Sequence, residues 1–349
     1  MFHFLDGGSE TEATLRRNTD AFDRIPLVSR CFVDVSNVVT RTRLLGQEIN
    51  CPLICSPTGG SRFFHPLGEL AVARAAARAG ILYCVSAGST YSLEDIAAAN
   101  PAPKVFLLFP FKNRDVMWGL LERSRQAGYT ALCLMADVPA VGKRERDLRT
   151  GFATWARPSL ARTLHCALHP NWAFGQIQAG RITFPNFSSQ ADTALPEIDA
   201  AMSWREIRAI ADRWGGPFAI KGIMRADDAR RAADAGATAI LVSNHGGRQL
   251  DGAAAPIEVL PEIVTAVKDR LEIILDGGVR RGTHVLKALA CGATACSTGR
   301  SYLYGLGAAG EEGAFRALDI LREEFELAMK LTGCATLQDV DETLIRKAG

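Results

Sequence analysis

A histidine, an arginine and an aspartate lie within seven positions in the segment VSNHGGRQLD, residues 242–251, where an apolar run gives way to glycines. His245 has the chemistry of a proton-accepting base or of a metal ligand, and it also suits a polar residue held under a turn. Arg248 offers a planar fork of donors that matches a carboxylate. The segment alone leaves the three roles of His245 open, so the elements around it must decide between them.

Eight short apolar runs alternate with longer segments of helical period. The runs are 52–56, 81–86, 105–109, 131–135, 217–221, 239–243, 272–276 and 294–298. Near-continuous apolar strands that alternate with helices predict a parallel sheet covered by helices. Eight such units favour a closed (β/α)8 TIM barrel, of the α/β class, over an open sheet.

One connection in this pattern is much longer than the others. The segment 136–203 separates the fourth strand, which ends near Met135, from a helix that begins near Trp204. Long insertions of this kind are usually lids or binding loops. We therefore expect a single domain over residues 1–349, with residues 150–203 as a lid or insertion loop within it.

Active sites of such barrels are built at the carboxyl ends of the strands. The residues that follow the runs are Thr58, Ser86, Asp137, Lys221, His245, Asp276 and Gly299, while the third run ends at Phe109. A lysine at the end of an apolar run is desolvated unless it faces an anion or an electron-rich group. An aspartate after a strand suits a helix N-cap or an acid that orients a histidine. The set as a whole exceeds what packing requires and predicts an enzyme.

Two glycine- and arginine-containing segments, DGGVRRG (276–282) and STGRSYLYG (297–305), follow the seventh and eighth strands. Barrels commonly hold a phosphate there. Glycines let backbone amides approach the anion, and Arg280 and Arg300 can add charge-assisted bonds. A GxGxxG match, GLGAAG at 305–310, follows no strand-to-turn transition and is expected to be a loop.

Composition excludes several classes of function. The 349 residues include 40 basic and 38 acidic side chains, and the net charge of +2 does not indicate a nucleic-acid partner. Nine cysteines without a CxxC pair, and no visible signal peptide or apolar span, indicate a reduced, cytoplasmic protein. His165 and His169 are four positions apart, which would place both on one face of a helix. Without a third ligand nearby we expect no metal site there. Pro170 is expected to end that helix.

VSNHGGRQLDG, with KGI at 221–223, DGGVRRGTHVLKALACGA at 276–293 and GR at 299–300, resembles the FMN-dependent 2-hydroxy acid oxidoreductase family. That family includes glycolate oxidase, lactate oxidase and mandelate dehydrogenase. The resemblance implies the barrel, FMN as cofactor, and oxidation of an L-2-hydroxy acid to the 2-oxo acid. It also implies oxygen or a quinone as the electron acceptor, and a homo-oligomer, either a tetramer or an octamer.

The resemblance also implies roles by position. His245 matches the base that takes a proton as electrons move from the substrate Cα to flavin N5, and Asp137 matches the acid that stabilises its imidazolium. Arg248 and Arg144 match the residues that bind the substrate carboxylate. Lys221 matches a cation beside flavin N1 and the C2 carbonyl. The other implied cofactor contacts are Pro57, Thr58 and Gly59 along the flavin, Ser86 hydrogen-bonded to it, Asp276 on the ribityl chain, and Gly278, Arg280, Gly299 and Arg300 on the phosphate.

Three positions depart from the family pattern. Phe4 and Phe109 stand where the family usually has substrate-binding tyrosines, and Leu107 stands where a glutamine usually contacts the flavin. Loss of two hydroxyls and an amide makes the site more apolar, so we expect a bulky, apolar or aromatic, mandelate-like substrate and poor use of glycolate.

The insertion looks most like the mandelate and lactate dehydrogenase branch, in which this loop can touch a membrane that supplies quinone. Its scattered charges favour instead a mobile lid in a soluble enzyme. The expected location is therefore the cytoplasm, with peripheral contact at the inner face of the membrane as the alternative.

Two other functions stay open. The phenylalanine pair suits a natural-product tailoring flavoenzyme that carries out oxidation or oxidative decarboxylation on the same barrel. An FMN-dependent isomerase of the type 2 isopentenyl diphosphate isomerase kind would share the barrel without net oxidation. Retention of His245, Asp137, Arg144 and Arg248 argues against the isomerase.

Overall fold

The computed structural model describes residues 1–152, 164, 168–187 and 196–346. A short antiparallel hairpin of β1 (Thr42–Leu44) and β2 (Gln47–Ile49) precedes a closed barrel of parallel strands. The barrel strands are β3 (Leu53–Cys55), β4 (Leu82–Ser86), β5 (Lys104–Leu108), β6 (Ala131–Met135), β7 (Phe218–Ile223), β8 (Ala239–Ser243), β9 (Glu272–Asp276) and β10 (Ala295–Thr298). Their ends agree with the eight predicted runs to within about two residues, which confirms the (β/α)8 barrel.

Helices surround the barrel. The described helices are α1 (Phe2–Asp6), α2 (Ala13–Asp23), α3 (Gly68–Ala79), α4 (Leu93–Ala99), α5 (Arg114–Gln126), α6 (Glu145–Arg149), α7 (Pro170–Ala179), α8 (Trp204–Trp214), α9 (Ala226–Asp234), α10 (Pro256–Val267), α11 (Gly282–Ala290) and α12 (Arg300–Thr332). No helix in this described part of the chain is long and apolar enough to cross a membrane.

The apolar residues of the strands divide between two cores. One face of each strand, such as Tyr83, Val85 and Phe106, packs against the helices, and the other face fills the barrel. Leu45 and Ile49 of the hairpin join the barrel interior, and the Leu45 amide donates to Glu272 at the start of β9. The hairpin therefore closes the amino-terminal end of the barrel, and the carboxyl ends of the strands remain for a site.

One local expectation was wrong. Residues 305–308 of GLGAAG lie in the first half of α12 and not in a loop, and the non-helical dihedral angles of Ala309 and Gly310 break the helix into two halves that meet at a kink. A Cβ at Gly305 would overlap the carbonyl of Gly313, so small residues let the two halves pack closely. Pro170 is the first residue of α7, where a missing N–H costs nothing; the segment before it, in which the helix of His165 and His169 was expected to end, lies largely outside the described residues. His165 lies outside the described residues.

Hydrogen bonds from two polar side chains, Arg62 and Asn186, connect the insertion to the barrel rim. The Arg62 guanidinium donates to the carbonyls of Ala179, Gly180 and Arg181 at the end of α7. The buried Asn186 amide donates to the Ala87 carbonyl and to Ser89 Oγ in the loop after β4. These bonds place residues 179–187 of the predicted lid against the carboxyl-end face of the barrel.

Candidate active site

Lys221 and Asp276 form a buried ion pair across β7, β8 and β9. Lys221 Nζ lies 3.1 Å from Asp276 Oδ2 and donates to Ser243 Oγ at 3.0 Å. The same carboxylate accepts from Ser243 Oγ at 2.6 Å and from Ser56 Oγ at 2.8 Å. Burial opposes charge on both partners, but their mutual attraction outweighs it: the pKa of Asp276 is lowered and that of Lys221 is raised. A fixed, permanently charged ammonium therefore lies at the rim.

His245 and Asp137 form the second ionisable pair. The Nδ1 atom of His245 lies 3.1 Å from Asp137 Oδ1 and 3.2 Å from Oδ2. Burial lowers the pKa of His245 below its ordinary value although Asp137 opposes the shift. Burial raises the pKa of Asp137, but Lys221 and His245 outweigh that and hold it low. At neutral pH the pair is thus a neutral imidazole beside a carboxylate, and its Nε2 can accept a proton.

The backbone around this pair requires unusual conformations. His245 has φ of +60°, Gly246 +63° and Gly247 +74°, so the chain turns sharply after β8 and presents the imidazole. Gly222 has φ of +106°, and a Cβ there would lie 2.6 Å from Asp137 Cβ. The glycine of the KGI segment therefore makes room for the acid, a role that the sequence reading missed.

Two arginines converge beside the ring of Phe4. The guanidinium carbon of Arg248 lies 4.9 Å from the ring centroid, and that of Arg144 lies 5.5 Å from it. Arg248 Nη1 donates to the carbonyls of Phe4 and Gly7, each at 2.8 Å. Burial and the neighbouring arginines Arg144 and Arg300 lower the pKa of Arg248 to about 9. No described carboxylate forms an ion pair with Arg248, so this cation is available to an anionic ligand.

Asp147 partly balances the two arginines. Its Oδ2 lies 3.6 Å from Arg144 Nε, and burial raises its pKa although Arg144 and Arg248 act against that. Asp147 was not predicted from the sequence. Its position three residues after Arg144, a spacing that suits an ion pair on a helix, was the one feature that could have indicated it. We name Arg144, Arg248 and Asp147 the carboxylate clamp.

Arg280 and Arg300 lie at the ends of β9 and β10. The guanidinium of Arg280 has no hydrogen bond or ion pair to any described residue, and burial lowers its pKa. Arg300 donates to the carbonyls of Leu5, Gly246 and Gly7, and burial lowers its pKa to about 10. Gly299 caps α12, whose N-terminus favours negative charge. An uncompensated arginine beside a helix N-terminus fits a phosphate group.

The residues at and after the ends of β3 and β4 form the side of the rim opposite β7 and β8. Thr58 Oγ1 lies 2.7 Å from the Tyr302 hydroxyl, and Ser86 Oγ accepts from the Gly88 amide at 3.1 Å. A Cβ at Gly59 would lie 2.7 Å from the Gly88 carbonyl, so the segment Pro57–Gly59 packs closely on the next loop. Two residues after Gly59, the amide of Ser61 donates a hydrogen bond to the fully buried carboxylate of Glu69.

The three departures from the family pattern lie in apolar surroundings. Phe4 stacks on Phe152 with ring centroids 4.1 Å apart, and Phe109 contacts Phe111 at 5.7 Å. Leu107 is fully buried in the barrel interior. Phe63 contacts both Phe4 and Phe152 edge to face, at 6.2 and 5.5 Å. Phe63 and Phe152 were not selected from the sequence, because nothing in their spacing distinguishes them from core residues.

The fold and the site together are those of an α/β-barrel enzyme, whose rim carries a neutral imidazole beside a carboxylate, two clustered arginines and a further arginine without a side-chain partner among the described residues. Residues 1–347 match the model of a protein family described as FMN-dependent dehydrogenase. The chain belongs to this family, and FMN is its cofactor.

Individual relatives agree with this assignment. The chain is 41% identical to L-lactate oxidase from Nostoc sp., over 99% of the chain and 93% of the relative. It is 38% identical to glycolate oxidase 3 from Arabidopsis thaliana, over 99% and 91%. It is therefore an FMN-dependent 2-hydroxy acid oxidase or dehydrogenase.

Two solved structures are close in shape. The monotopic membrane protein (S)-mandelate dehydrogenase has a TM-score of 0.94 at 34% identity, with 99% of this chain and 94% of that chain covered. A mandelate oxidase variant with (S)-mandelic acid has a TM-score of 0.85 at 39% identity, with 100% and 93% covered.

Proposed function

We propose that the enzyme oxidises a bulky, apolar or aromatic L-2-hydroxy acid of the mandelate kind. The observation that carries the proposal is the aromatic cluster of Phe4, Phe63 and Phe152 beside the carboxylate clamp. An apolar wall next to a carboxylate-binding arginine suits a substrate with a carboxylate at one end and a ring at the other. Because the wall lacks hydroxyls, a small polar substrate gains little from it.

In this proposal each part of the site has one task. Arg248 and Arg144 bind the substrate carboxylate and so fix the Cα–H and the hydroxyl near His245. His245 takes a proton through Nε2, and Asp137 stabilises the imidazolium through Nδ1. Bound FMN supplies the capacity to accept two electrons. Lys221, held by Asp276 and Ser243, keeps a positive charge where negative charge develops on the cofactor.

The residues proposed to hold FMN are those assigned by position. They are Pro57, Thr58, Gly59, Ser86, Lys221, Asp276, Gly278, Arg280, Gly299 and Arg300. The unpaired guanidinium of Arg280 and the N-terminus of α12 fit its phosphate. Asp276 is fastened to Lys221 and two serines, so its proposed contact with the ribityl chain would use lone pairs that these bonds leave free.

Anaerobic flavin bleaching tests the substrate class. The yellow enzyme is mixed without oxygen with (S)-mandelate, (S)-lactate or glycolate, and the reduction rate is followed by absorbance. We expect mandelate to reduce the flavin fastest and glycolate slowest. Equal rates for glycolate and mandelate would contradict the proposal. Failure of every simple hydroxy acid would favour the alternative of a natural-product tailoring enzyme.

For the electron acceptor we propose a quinone reached at a membrane surface, within a cytoplasmic, peripheral enzyme, in place of the soluble lid that the scattered charges of the insertion favour. On the insertion, Leu168, Phe174 and Ile177 are 75%, 62% and 77% exposed, and Phe174 and Ile177, three positions apart on α7, share one face of that helix. Flotation with anionic vesicles and reoxidation by a soluble quinone under nitrogen test this. Absence from the vesicles together with fast reoxidation in air would make the enzyme a soluble oxidase.

We also propose a homo-oligomer, a tetramer or octamer. Exposed apolar side chains of Val28, Phe32 and Leu331 lie outside the site and suit contact with further copies. Light scattering of the purified holoenzyme measures the mass directly, and a monomer would contradict this proposal.

A further inference from the structure

Phe152 lies at the end of the segment that carries Arg144 and Asp147, two of the three residues of the carboxylate clamp. Arg144 is the N-cap of α6 (Glu145–Arg149), and Phe152 follows that helix three residues after its end. The Phe152 ring is stacked on the Phe4 ring, with centroids 4.1 Å apart and planes inclined by 17°. The buried Phe63 ring packs edge-on against Phe152 at 5.5 Å and an interplanar angle of 82°. Phe152 thus contacts two rings: Phe63 packs edge-on against it, and Phe4 stacks on it.

Phe4 in turn contacts both arginines of the clamp. The guanidinium carbons of Arg248 and Arg144 lie 4.9 and 5.5 Å from its centroid. Phe64 also lies nearly parallel to Phe4, with centroids 6.3 Å apart and planes inclined by 17°. The negative π-face of a ring attracts a guanidinium. Phe4 therefore contacts the stacked ring of Phe152 and both arginines of the clamp.

The arginines need such support because few carboxylates balance them. Arg248 forms hydrogen bonds only to the carbonyls of Phe4 and Gly7 among the described residues, and Arg144 has Asp147 at 3.6 Å. Two like charges this close repel each other when no anion is bound. A ring face that attracts both cations offsets part of this repulsion and keeps both guanidinium groups at one place.

We propose that Phe152 is a positioning residue for carboxylate binding, which acts through Phe4 on Arg248 and Arg144 without touching the reacting atoms. This rests on the proposed function only in that the clamp binds the substrate carboxylate. The predicted effect falls on carboxylate affinity. His245 does not contact the stack, so the rate at saturating substrate should change less than the carboxylate affinity.

Oxalate is the probe that separates this role from a simple apolar wall. It carries carboxylates and no ring, so loss of aromatic contact with a substrate cannot weaken it. Binding to the FMN-loaded enzyme is measured by calorimetry for the wild type, Phe152→Leu, Phe152→Tyr and Phe152→Trp. Leucine fills most of the space but has no π-face, whereas tyrosine and tryptophan keep a ring on Phe4. The matched control is Phe187→Leu, because Phe187 is also half-buried and packs edge-on against Phe111 at 5.3 Å, away from the clamp.

We expect Phe152→Leu to raise the Kd of oxalate about 3- to 10-fold, because Phe4 loses the ring that holds it and its two cation–π contacts weaken. The KM for the hydroxy acid should rise by a similar factor with kcat within about twofold, and the ring-bearing variants should restore both. An unchanged oxalate Kd in Phe152→Leu would overturn the proposal, as would an equal loss in Phe187→Leu. Oxalate binding needs no turnover, so failure of the proposed oxidation, seen as absence of flavin bleaching, is a separate result.

Discussion

His245 Nδ1 and Asp137 Oδ1 lie 3.1 Å apart, and this distance depends on a third residue that carries no side chain. Gly222 leaves free the volume in which the Asp137 carboxylate lies. A carboxylate on Nδ1 fixes the tautomer in which Nε2 is unprotonated, so the imidazole is oriented as a base before substrate arrives.

Replacement of His245 by asparagine should abolish most of the proton transfer. Asparagine tolerates the left-handed conformation that His245 adopts at φ of +60°, so the turn should survive. We expect the anaerobic rate of flavin reduction to fall by about 10² to 10⁴-fold, the usual contribution of a general base. His65→Asn is the control, because His65 is a half-buried histidine outside the site. Similar losses in the two variants would argue against His245 as the base.

Asp137→Asn should change the pH dependence of kcat/KM as well as its size. His245 acts in its neutral form, so kcat/KM falls only as the pH drops through the pKa of His245, which burial places below 6.5. The Asp137 carboxylate raises that pKa, so in Asp137→Asn the acid limb of the kcat/KM profile should move to lower pH. The plateau of kcat/KM should also fall, because the imidazolium is no longer stabilised. Profiles from about pH 4.5 to 8 measure both effects. An acid limb that moves upward would contradict this assignment of charges.

Phe109→Tyr should shift preference toward small substrates. The added hydroxyl gives Phe109, proposed by position to contact the substrate, one hydrogen-bonding group worth about 1 kcal/mol, which benefits a polar substrate more than an aromatic one. We expect the ratio of kcat/KM for glycolate to that for mandelate to rise about 5- to 10-fold. Phe187→Tyr adds the same hydroxyl on the insertion and should leave the ratio unchanged. A constant ratio in Phe109→Tyr would place the specificity elsewhere.

Arg280→Ala should weaken FMN binding, and its neighbour provides a matched control. The Arg280 guanidinium has no hydrogen bond or ion pair to the described residues, whereas Arg281 is largely exposed and pairs with Glu324 at 2.9 Å. Loss of charge-assisted bonds to a phosphate should raise the Kd of FMN about 10- to 100-fold. Titration of the apoprotein with FMN, followed by fluorescence quenching, measures this. Equal effects of Arg280→Ala and Arg281→Ala would remove Arg280 from the phosphate site.

The sequence allowed the barrel to be predicted because its strands are buried on both faces and read as continuous apolar runs. It also placed His245, Asp137, Lys221 and Asp276 at one rim, since strand ends converge by topology. It did not reveal which groups pair. Lys221 bonds to Asp276 and Ser243 across neighbouring strands, and such partners depend on the register and on side-chain rotamers.

The parts of the site that were missed come from connections and not from strands. Phe152 follows a short helix in the long β6–β7 connection, and Phe63 lies in the loop after β3, where no periodicity marks either residue. GLGAAG was expected to be a loop because no strand-to-turn transition precedes it, yet its glycines lie in a helix, where close packing of Gly305 on Gly313 requires small residues. Tertiary contact overrode local propensity at this point.

Asp251→Asn should destabilise the protein at neutral pH and much less in acid. The Asp251 carboxylate, the acid of VSNHGGRQLD, accepts bonds from the Thr11 hydroxyl and from the amides of Thr11, Ala13 and Thr14 and so caps the start of α2. Burial opposes its charge, but these bonds outweigh it and hold its pKa well below the ordinary 3.8. A lowered pKa contributes stability that is present above the unfolded value and is lost as the pH falls below it. We expect a loss of about 1 kcal/mol in the free energy of unfolding at pH 7, typical of a helix cap, that shrinks below about pH 4. Urea unfolding at several pH values measures it, with the exposed Asp20→Asn as control, and a difference that grows in acid would refute the capping role.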